Sequence, residues 1–330
     1  MNLTAGHLTV CICTHNRPRY VRDCLEGLRK QTVAGFGVLL VDSGSTGLVP
    51  AELEGLALSF PGARLCRLNQ PGVSAARNAG AHAAGTPWIA YIDDDAIPAL
   101  NWIERILTAI QESARPAALI GGRILPLWEA PLPAWWPESL RGVLSIIEVE
   151  GQGEYRSSAL PPKLEPFAAN MVVHVPSLLA AGGFGSIIGR YGNALLSDEE
   201  VQLAWRLQDS GHSVRFDSRI VVHHQIQASR LHPAWLLSRL YWQGASTVTT
   251  RRLLANPGAV WRELPRRLAV ATLFAPMALM PRRSTRLLAF RWRFAYAQGF
   301  IRASLGWRAE LTAARRAHIG PDTSMSVGPA

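Results

Sequence analysis

The sequence predicts an α/β fold, a mainly parallel sheet flanked by helices, with a helical extension at its C-terminal side. Three observations lead there. Short apolar runs alternate with amphipathic stretches through the first third of the chain, several of those runs end in polar clusters, and the last third turns to arginine-rich helical patterns. At 330 residues, 48% hydrophobic and 18% charged, the chain can bury a large core, which excludes a disordered polymer.

Taken in order, Leu8–Cys13 reads as the first strand, Tyr20–Lys30 as a helix and Val38–Val41 as the next strand. The rhythm continues with a helix near Ala51–Ser59, a strand around Arg64–Leu68, a helix over Ser74–Ala84 capped by Ser74, and the strand Trp88–Ile92. A helix opens at Asn101, with Glu104 three residues on as a capping partner, and Ala117–Ile120 closes the series. About five mainly parallel strands are implied, with helices on both faces. The stretch Leu125–Pro166, rich in Pro and Trp (Pro131, Pro133, Trp135, Trp136, Pro161, Pro162), reads as an extended loop over the sheet edge. Strand character returns over Phe167–Val175, a helix over Asp198–Gln208 and a strand or hairpin over Val214–His224. Beyond Arg230 helical patterns prevail, broken by Pro257, Pro265, Pro276 and Pro281. The expected organisation is one domain over residues 1–229, in halves of about 1–124 and 125–229, followed by a basic extension over 230–330.

Ligands on such sheets sit beyond the carboxyl ends of the strands. Three polar clusters fall there: Thr14-His15-Asn16 with Arg17, Asp42-Ser43-Gly44-Ser45, and Asp93-Asp94-Asp95. Three adjacent carboxylates repel one another, and a divalent cation is the natural relief. Hard cations such as Mg²⁺ are commonly held by one or two carboxylates plus substrate phosphates, so the triplet points to a phosphorylated ligand. No Gly-x-Gly-x-x-Gly follows the first strand, which disfavours a dinucleotide. A mononucleotide remains open, with Asp42 placed either to accept hydrogen bonds from base or ribose or simply to form a turn. Gly72–Gly80 begins a helix and puts Arg77 and Asn78 in its first turn, where two donors suit an anionic or sugar ligand.

The strings CTHNRP from Cys13, VDSGSTG from Val41, GVSAARNAG from Gly72 and YIDDDAIP from Tyr91, in that order, resemble the family 2 glycosyltransferases. The resemblance covers roughly the first 230 residues and implies a GT-A fold, a Rossmann-like sheet, and transfer of a sugar from a nucleotide-diphosphate sugar to an acceptor hydroxyl with inversion, in polysaccharide or glycolipid synthesis. It implies that Asp42 lies in the nucleotide pocket together with Thr14, Asn16, Arg17, Arg77, Asn78 and Asp94. It also implies that Asp93 and Asp95 are the outer members of a DxD motif and that Asp95 binds a divalent metal, Mg²⁺ or Mn²⁺. The segment Leu195–Glu200 resembles the acceptor half, where a pair of acids at a helix start supplies the catalytic base. Here the pair is Glu199 and Glu200, with Glu200 as the expected base, although Ser197-x-x-Glu200 also spells a capping box. A family histidine aligns with His224, and strand alternation makes His223 the one-residue alternative.

Charge divides the chain unevenly. Residues 230–330 hold 16 arginines against three acids, a net +13, whereas the first 229 residues carry 18 basic and 21 acidic side chains. Interleaving with Trp, Phe and Leu favours an anionic membrane surface over nucleic acid, and no zinc-finger, basic-zipper or RNP pattern accompanies the basic tail. Leu268–Met280 is too short to span a bilayer and suggests an interfacial segment, followed by Arg282, Arg283, Arg286, Arg291 and Arg293. The expected location is cytoplasmic, peripheral on the inner face of the plasma membrane, where a glycan or lipid-linked acceptor is presented; the start of the sequence shows no secretory signal. Cys11, Cys13, Cys24 and Cys66 read as reduced core residues, without the spacing of a zinc site. A metal-dependent nucleotidyltransferase and a basic nucleic-acid-binding protein are the competing readings.

Overall fold

A computed structural model of the protein describes residues 3–113, 115–161, 164–185, 195–254, 257–280, 287–306 and 326–329. The strands are β1 (Leu8–Thr14), β2 (Gly37–Ser43), β3 (Ala63–Leu68), β4 (Trp88–Asp93), β5 (Ala96–Pro98), β6 (Ala117–Trp128), β7 (Gln152–Glu154), β8 (Asn170–His174), β9 (Ser213–Ile226) and β10 (Ser326–Pro329). The helices are α1 (Pro18–Arg29), α2 (Val49–Ser59), α3 (Val73–Ala83), α4 (Trp102–Gln111), α5 (Val175–Ala180), α6 (Glu199–Asp209), α7 (Pro233–Leu253), α8 (Pro257–Leu279) and α9 (Leu288–Ser304). Every strand and helix expected through residue 124 is present, with ends moved by at most two residues except β6, which runs on to Trp128.

One mixed sheet carries the strands in the order β10-β3-β2-β1-β4-β8-β6-β9-β5, with β7 beside β9. β3, β2, β1 and β4 are parallel neighbours, built from near-continuous apolar runs because both faces are covered. The fifth strand does not extend that parallel set as expected. β8 returns from the long crossing segment and inserts antiparallel between β4 and β6. The registers then align the functional clusters: Thr14 lies beside Asp42 and Cys13 beside Asp93, so three strand ends form one row. On the far side β9 pairs with β5 so that Ala96 faces His224.

Local details differ from expectation in instructive ways. Gly72, not Ser74, is the cap residue of α3, and Asn101 caps α4 by position without a side-chain bond, since Glu104 instead accepts from Thr32 at 3.2 Å. The four cysteines are free; Cys11, Cys24 and Cys66 are buried, and Cys13 is half-buried.

The segment expected as a loop continues β6 to Trp128, forms a short helical turn at Glu138–Leu144, and seats the C-terminal helices. Trp136, Leu144 and Ile146 pack with Ile226, Leu231, Leu236, Leu240 and Leu288. The change of charge at residue 230 is therefore not a break in packing. α7 and α9 touch backbone to backbone at Gly244 and Gly299, where an added Cβ would meet Tyr296 O at 2.2 Å and Tyr241 O at 1.8 Å. α8 runs through Pro265 and Pro276 rather than breaking there. The carbonyls those prolines leave without an intrahelical partner belong to Trp261 and Thr272, both on the exposed face, where water can satisfy them. Among the described residues no helix is long and apolar enough to cross a membrane.

Candidate active site

The three strand-end clusters converge with the start of α6 on a set of largely buried charges. Thr14, the last residue of β1, donates its hydroxyl to Asp94 Oδ2 at 2.7 Å. Arg17 lies just before α1 and spans two carboxylates, with Nη1 at 2.8 Å from Asp94 Oδ1 and Nη2 at 2.5 Å from Asp95 Oδ2. Asp95 also accepts from Gln227 Nε2 at 2.9 Å and pairs with Arg230 Nη2 at 3.0 Å and His224 Nε2 at 3.2 Å. Burial alone would raise the Asp95 carboxyl; His224, Arg17 and Arg230 together hold it well below the usual carboxylate range. Its neighbour Asp94 goes the other way, pushed by burial up to about 7 against the pull of Arg17. Asp93, with a side chain 37% exposed, is the member of the triplet that faces solvent.

Arg77 joins this cluster to α6. From the second turn of α3, one turn later than expected, its buried guanidinium lies 3.4 Å from Asp93 Oδ1, 2.7 Å from Glu199 Oε1 and 3.5 Å from Glu200 Oε1, and it stacks over the Phe184 ring. Desolvation disfavours its charge, but Glu200, Glu199 and Asp93 more than restore it, so Arg77 stays protonated. Glu199 Oε2 is buried and makes no hydrogen bond. Glu200 accepts from the Ala168 N–H at 3.3 Å, and no capping box forms, because Asp198 rather than Ser197 is the cap of α6.

Several residues expected to contact a ligand are engaged within the protein instead. Asn78 grips the backbone of Phe184 at both ends of its amide, donating to the carbonyl at 2.9 Å and accepting from the N–H at 2.8 Å. Asn16, in the left-handed region at φ 55°, accepts from Thr46 N and takes the Ser45 hydroxyl on its own N–H, both at 2.9 Å. These two asparagines fasten loops, and Asp94 is buried against Thr14 and Arg17. Asp42 is buried beside Thr14 and accepts from Ser45 N at 2.9 Å, which leaves its second carboxylate oxygen for a ligand. Of the two histidines, His224 is the one turned toward Asp95; His223 alternates to the opposite face of β9. Gln227 and Arg230 were missed as site residues. They follow the carboxyl end of β9, and the rule applied to the first three strand ends would have flagged a fourth cluster, His224-Gln225-Ile226-Gln227, as well.

The donor set fits a divalent cation completed by a ligand. Asp95 Oδ1 faces His224 Nε2 across 3.2 Å, and His224 Nδ1 is buried without a partner. Among the described residues no three His, Cys, Asp or Glu side chains form a ready cage. Two protein donors with phosphate oxygens supplying the rest is how such ions are held in nucleotide sites.

A GT-A sheet with carboxylates at its strand ends and an acidic pair opening a helix defines a nucleotide-sugar-dependent transferase. Residues 9–129 match the model of Glycosyl transferase family 2. The chain is 24% identical to a glucosyl-dolichyl phosphate glucuronosyltransferase of Haloferax volcanii over 72% of this chain and 75% of that one. It is 28% identical to a pre-mycofactocin glycosyltransferase of Mycobacterium tuberculosis over 68% of this chain, which spans just under half, 45%, of that protein. Succinoglycan biosynthesis protein ExoM of Rhizobium meliloti is 23% identical over 76% of each chain. The fold is similar to that of a solved mannosyltransferase from Pyrobaculum calidifontis, in complex with GDP-Man and Mn2+, at TM-score 0.53 and 16% identity, covering 96% of this chain and 81% of that one.

Burial pushes the Glu200 carboxyl up to about 8, with Glu199 adding to the effect and Arg77 opposing it. Against 4.5 for an unperturbed glutamate, the folded state holds an extra proton between those values, so the stability it confers is present below pH 4.5 and lost as pH rises through about 8. Glu200→Gln cannot titrate. Melting temperatures should therefore show the variant gaining on the wild type from about pH 5 to about pH 8.5; a difference that does not change with pH would contradict the buried placement.

Proposed function

We propose that the protein is a metal-dependent inverting glycosyltransferase that moves a glycosyl group from a nucleotide-diphosphate sugar to a hydroxyl of a glycan or lipid-linked acceptor at a membrane surface. The observation that carries the reading is the Arg77 bridge, which holds the exposed carboxylate of the triplet and both candidate bases on one guanidinium. A base so close to a diphosphate-binding triplet is the geometry that single displacement at an anomeric carbon requires.

In this scheme Asp42 and Thr14 border the nucleoside, and Asp95 with His224 would hold the cation. When bound, that ion supplies positive charge to the leaving diphosphate. Arg77 is positioned to add a donor to the same charge. The acceptor oxygen bonds the anomeric carbon as the bond from that carbon to the β-phosphate oxygen breaks; its proton passes to Glu200 and the electron pair leaves with the nucleoside diphosphate. Glu200 suits the base role better than Glu199, because Glu199 is committed to Arg77 at 2.7 Å whereas Glu200 stands off at 3.5 Å. With its carboxyl raised to about 8, Glu200 is, once ionised, a stronger base than an ordinary glutamate, and the ionised fraction grows as pH rises toward that value.

The acceptor side rests on the extension and on the relatives. Trp261 and Leu273, 56% and 63% exposed, lie with Leu268, Arg262 and Arg266 on the outer face of α8, with exposed Met280 just past its end, a combination suited to an anionic bilayer. The rest of the basic excess is partly spent inside the fold: Arg230 on Asp95, Arg251 and Arg267 on Glu263, Arg252 on the last carbonyls of α9. Arg282, Arg283 and Arg286 lie outside the described residues. The name of the Haloferax volcanii relative, with its dolichyl phosphate, supports a lipid-linked acceptor.

A thermal-shift panel of UDP- and GDP-sugars with and without Mn²⁺ should reveal one donor whose stabilisation needs the ion. With that donor, Asp95→Asn is expected to lose the metal-dependent shift, while Glu200→Gln keeps it and loses nucleoside diphosphate release by about 100-fold or more. Near-normal release by Glu200→Gln, or pyrophosphate as the product, would refute the assignment. The wild type should sediment with vesicles containing anionic lipid and the Trp261→Ala/Leu273→Ala variant should remain in the supernatant; equal sedimentation of the two would remove the α8 surface from the account.

A further inference from the structure

α6 begins on a residue that cannot hold its own conformation. Asp198 is in the left-handed region at φ 81°, buried, and its side chain makes no capping bond to the helix. A non-glycine residue there is strained and persists only where its surroundings enforce it. The enforcement comes from α7. Gln243 Nε2 donates to Asp198 Oδ1 at 3.0 Å, the Ser197 hydroxyl donates to the same oxygen at 2.9 Å, Arg239 Nη2 donates to the Ser197 hydroxyl at 3.3 Å, and Ser197 N–H donates to Ser246 Oγ at 3.0 Å. Arg239, Gln243 and Ser246 are four and three residues apart, one stripe of a helix. Leu196 is packed beside them among Ala245, Val248, Val260, Phe300 and Ala303.

The stripe resolves a conflict written in the sequence. Ser197-x-x-Glu200 left to itself would close a capping box and bind the Glu200 carboxylate to the backbone of Ser197. Ser246 takes that N–H, Arg239 donates to the hydroxyl, and the hydroxyl's own proton lies between Asp198 Oδ1 and, at 3.3 Å, Gln243 Oε1, so Glu200 remains at Ala168 and Arg77. We propose that Gln243 and Ser246 are positioning residues for glycosyl transfer: from the helical extension they hold Asp198 left-handed and keep Glu200 out of the capping box, free to act on the acceptor hydroxyl. This rests on Glu200 as the base. It makes the extension part of the catalytic apparatus as well as a surface.

The test uses the full chain and the donor selected by thermal shift, with water as acceptor, so that turnover is nucleoside diphosphate release. Gln243→Met keeps the volume and loses the donor to Asp198. Its kcat is expected to fall on the order of 100-fold, as a misplaced base would cause, with donor affinity within about twofold of the wild type. Asp198→Asn with Gln243→Glu exchanges donor and acceptor while conserving charge, and asparagine tolerates the left-handed region. This double variant is expected to recover at least tenfold over Gln243→Met. Unchanged kcat in Gln243→Met, parallel loss of kcat and donor affinity, or no recovery in the double variant would overturn the inference. Glu200→Gln measured alongside separates the two ideas: its loss of turnover with an unaffected Gln243→Met sinks only the positioning role, whereas its normal turnover removes the base and the inference together.

Discussion

Six carboxylates share one end of the sheet, and the fold there depends on three arginines that come from separate stretches of chain to neutralise all of them but Asp42. Arg17 precedes α1, Arg77 sits on α3 and Arg230 follows β9. Buried acids without such partners would each cost several kcal/mol, so the pairs oblige distant segments to meet. Arg17 ties the first strand's end to Asp94 and Asp95. Arg77 draws α6 against the triplet, and Arg230 draws in the chain that leads to the extension. Because Asp95 is paired with two of these arginines and His224, it stays ionised at any ordinary pH, which is the state a cation ligand needs.

How much of this could be read in one dimension follows from the kind of interaction. The strands β1 to β4 were legible because burial on both faces writes itself as continuous apolar runs, and the strand-end rule then singled out Thr14, Asp42 and the triplet. The insertion of β8 was not legible, since an antiparallel strand between β4 and β6 has the same apolar signature as a parallel one. Side-chain direction was equally hidden. Asn16 and Asn78 look like free donors in a string of residues, and only tertiary contacts with Thr46 and Phe184 show them fastening loops. His223 and His224 are indistinguishable until the register with β5 is known.

The charge step at residue 230 misled in a different way. Arginines that cap helix ends or neutralise buried acids read the same in sequence as arginines that face a membrane. Arg230 and Arg239 belong to the catalytic half by contact, and Arg251, Arg252 and Arg267 to the joints between helices. Among the described residues Arg262 and Arg266 stay exposed on α8, whose outer face mixes Trp and Leu with Arg, and Arg293 and Arg302 stay exposed on α9. The extension thus has an inner side that meets the start of α6 and an outer side of exposed Trp, Leu and Arg, so the proposed membrane contact and the proposed base draw on one helical pack.

The most direct measurement of the central claim is a crystal structure of the protein with a nucleoside diphosphate and Mn²⁺. The account predicts the ion between Asp95 and His224, the diphosphate on it, and the terminal phosphate within reach of Arg77 with Glu200 facing the same cleft. A diphosphate bound away from the strand-end row, or an ion that leaves Asp95 on its arginines and settles elsewhere, would contradict it.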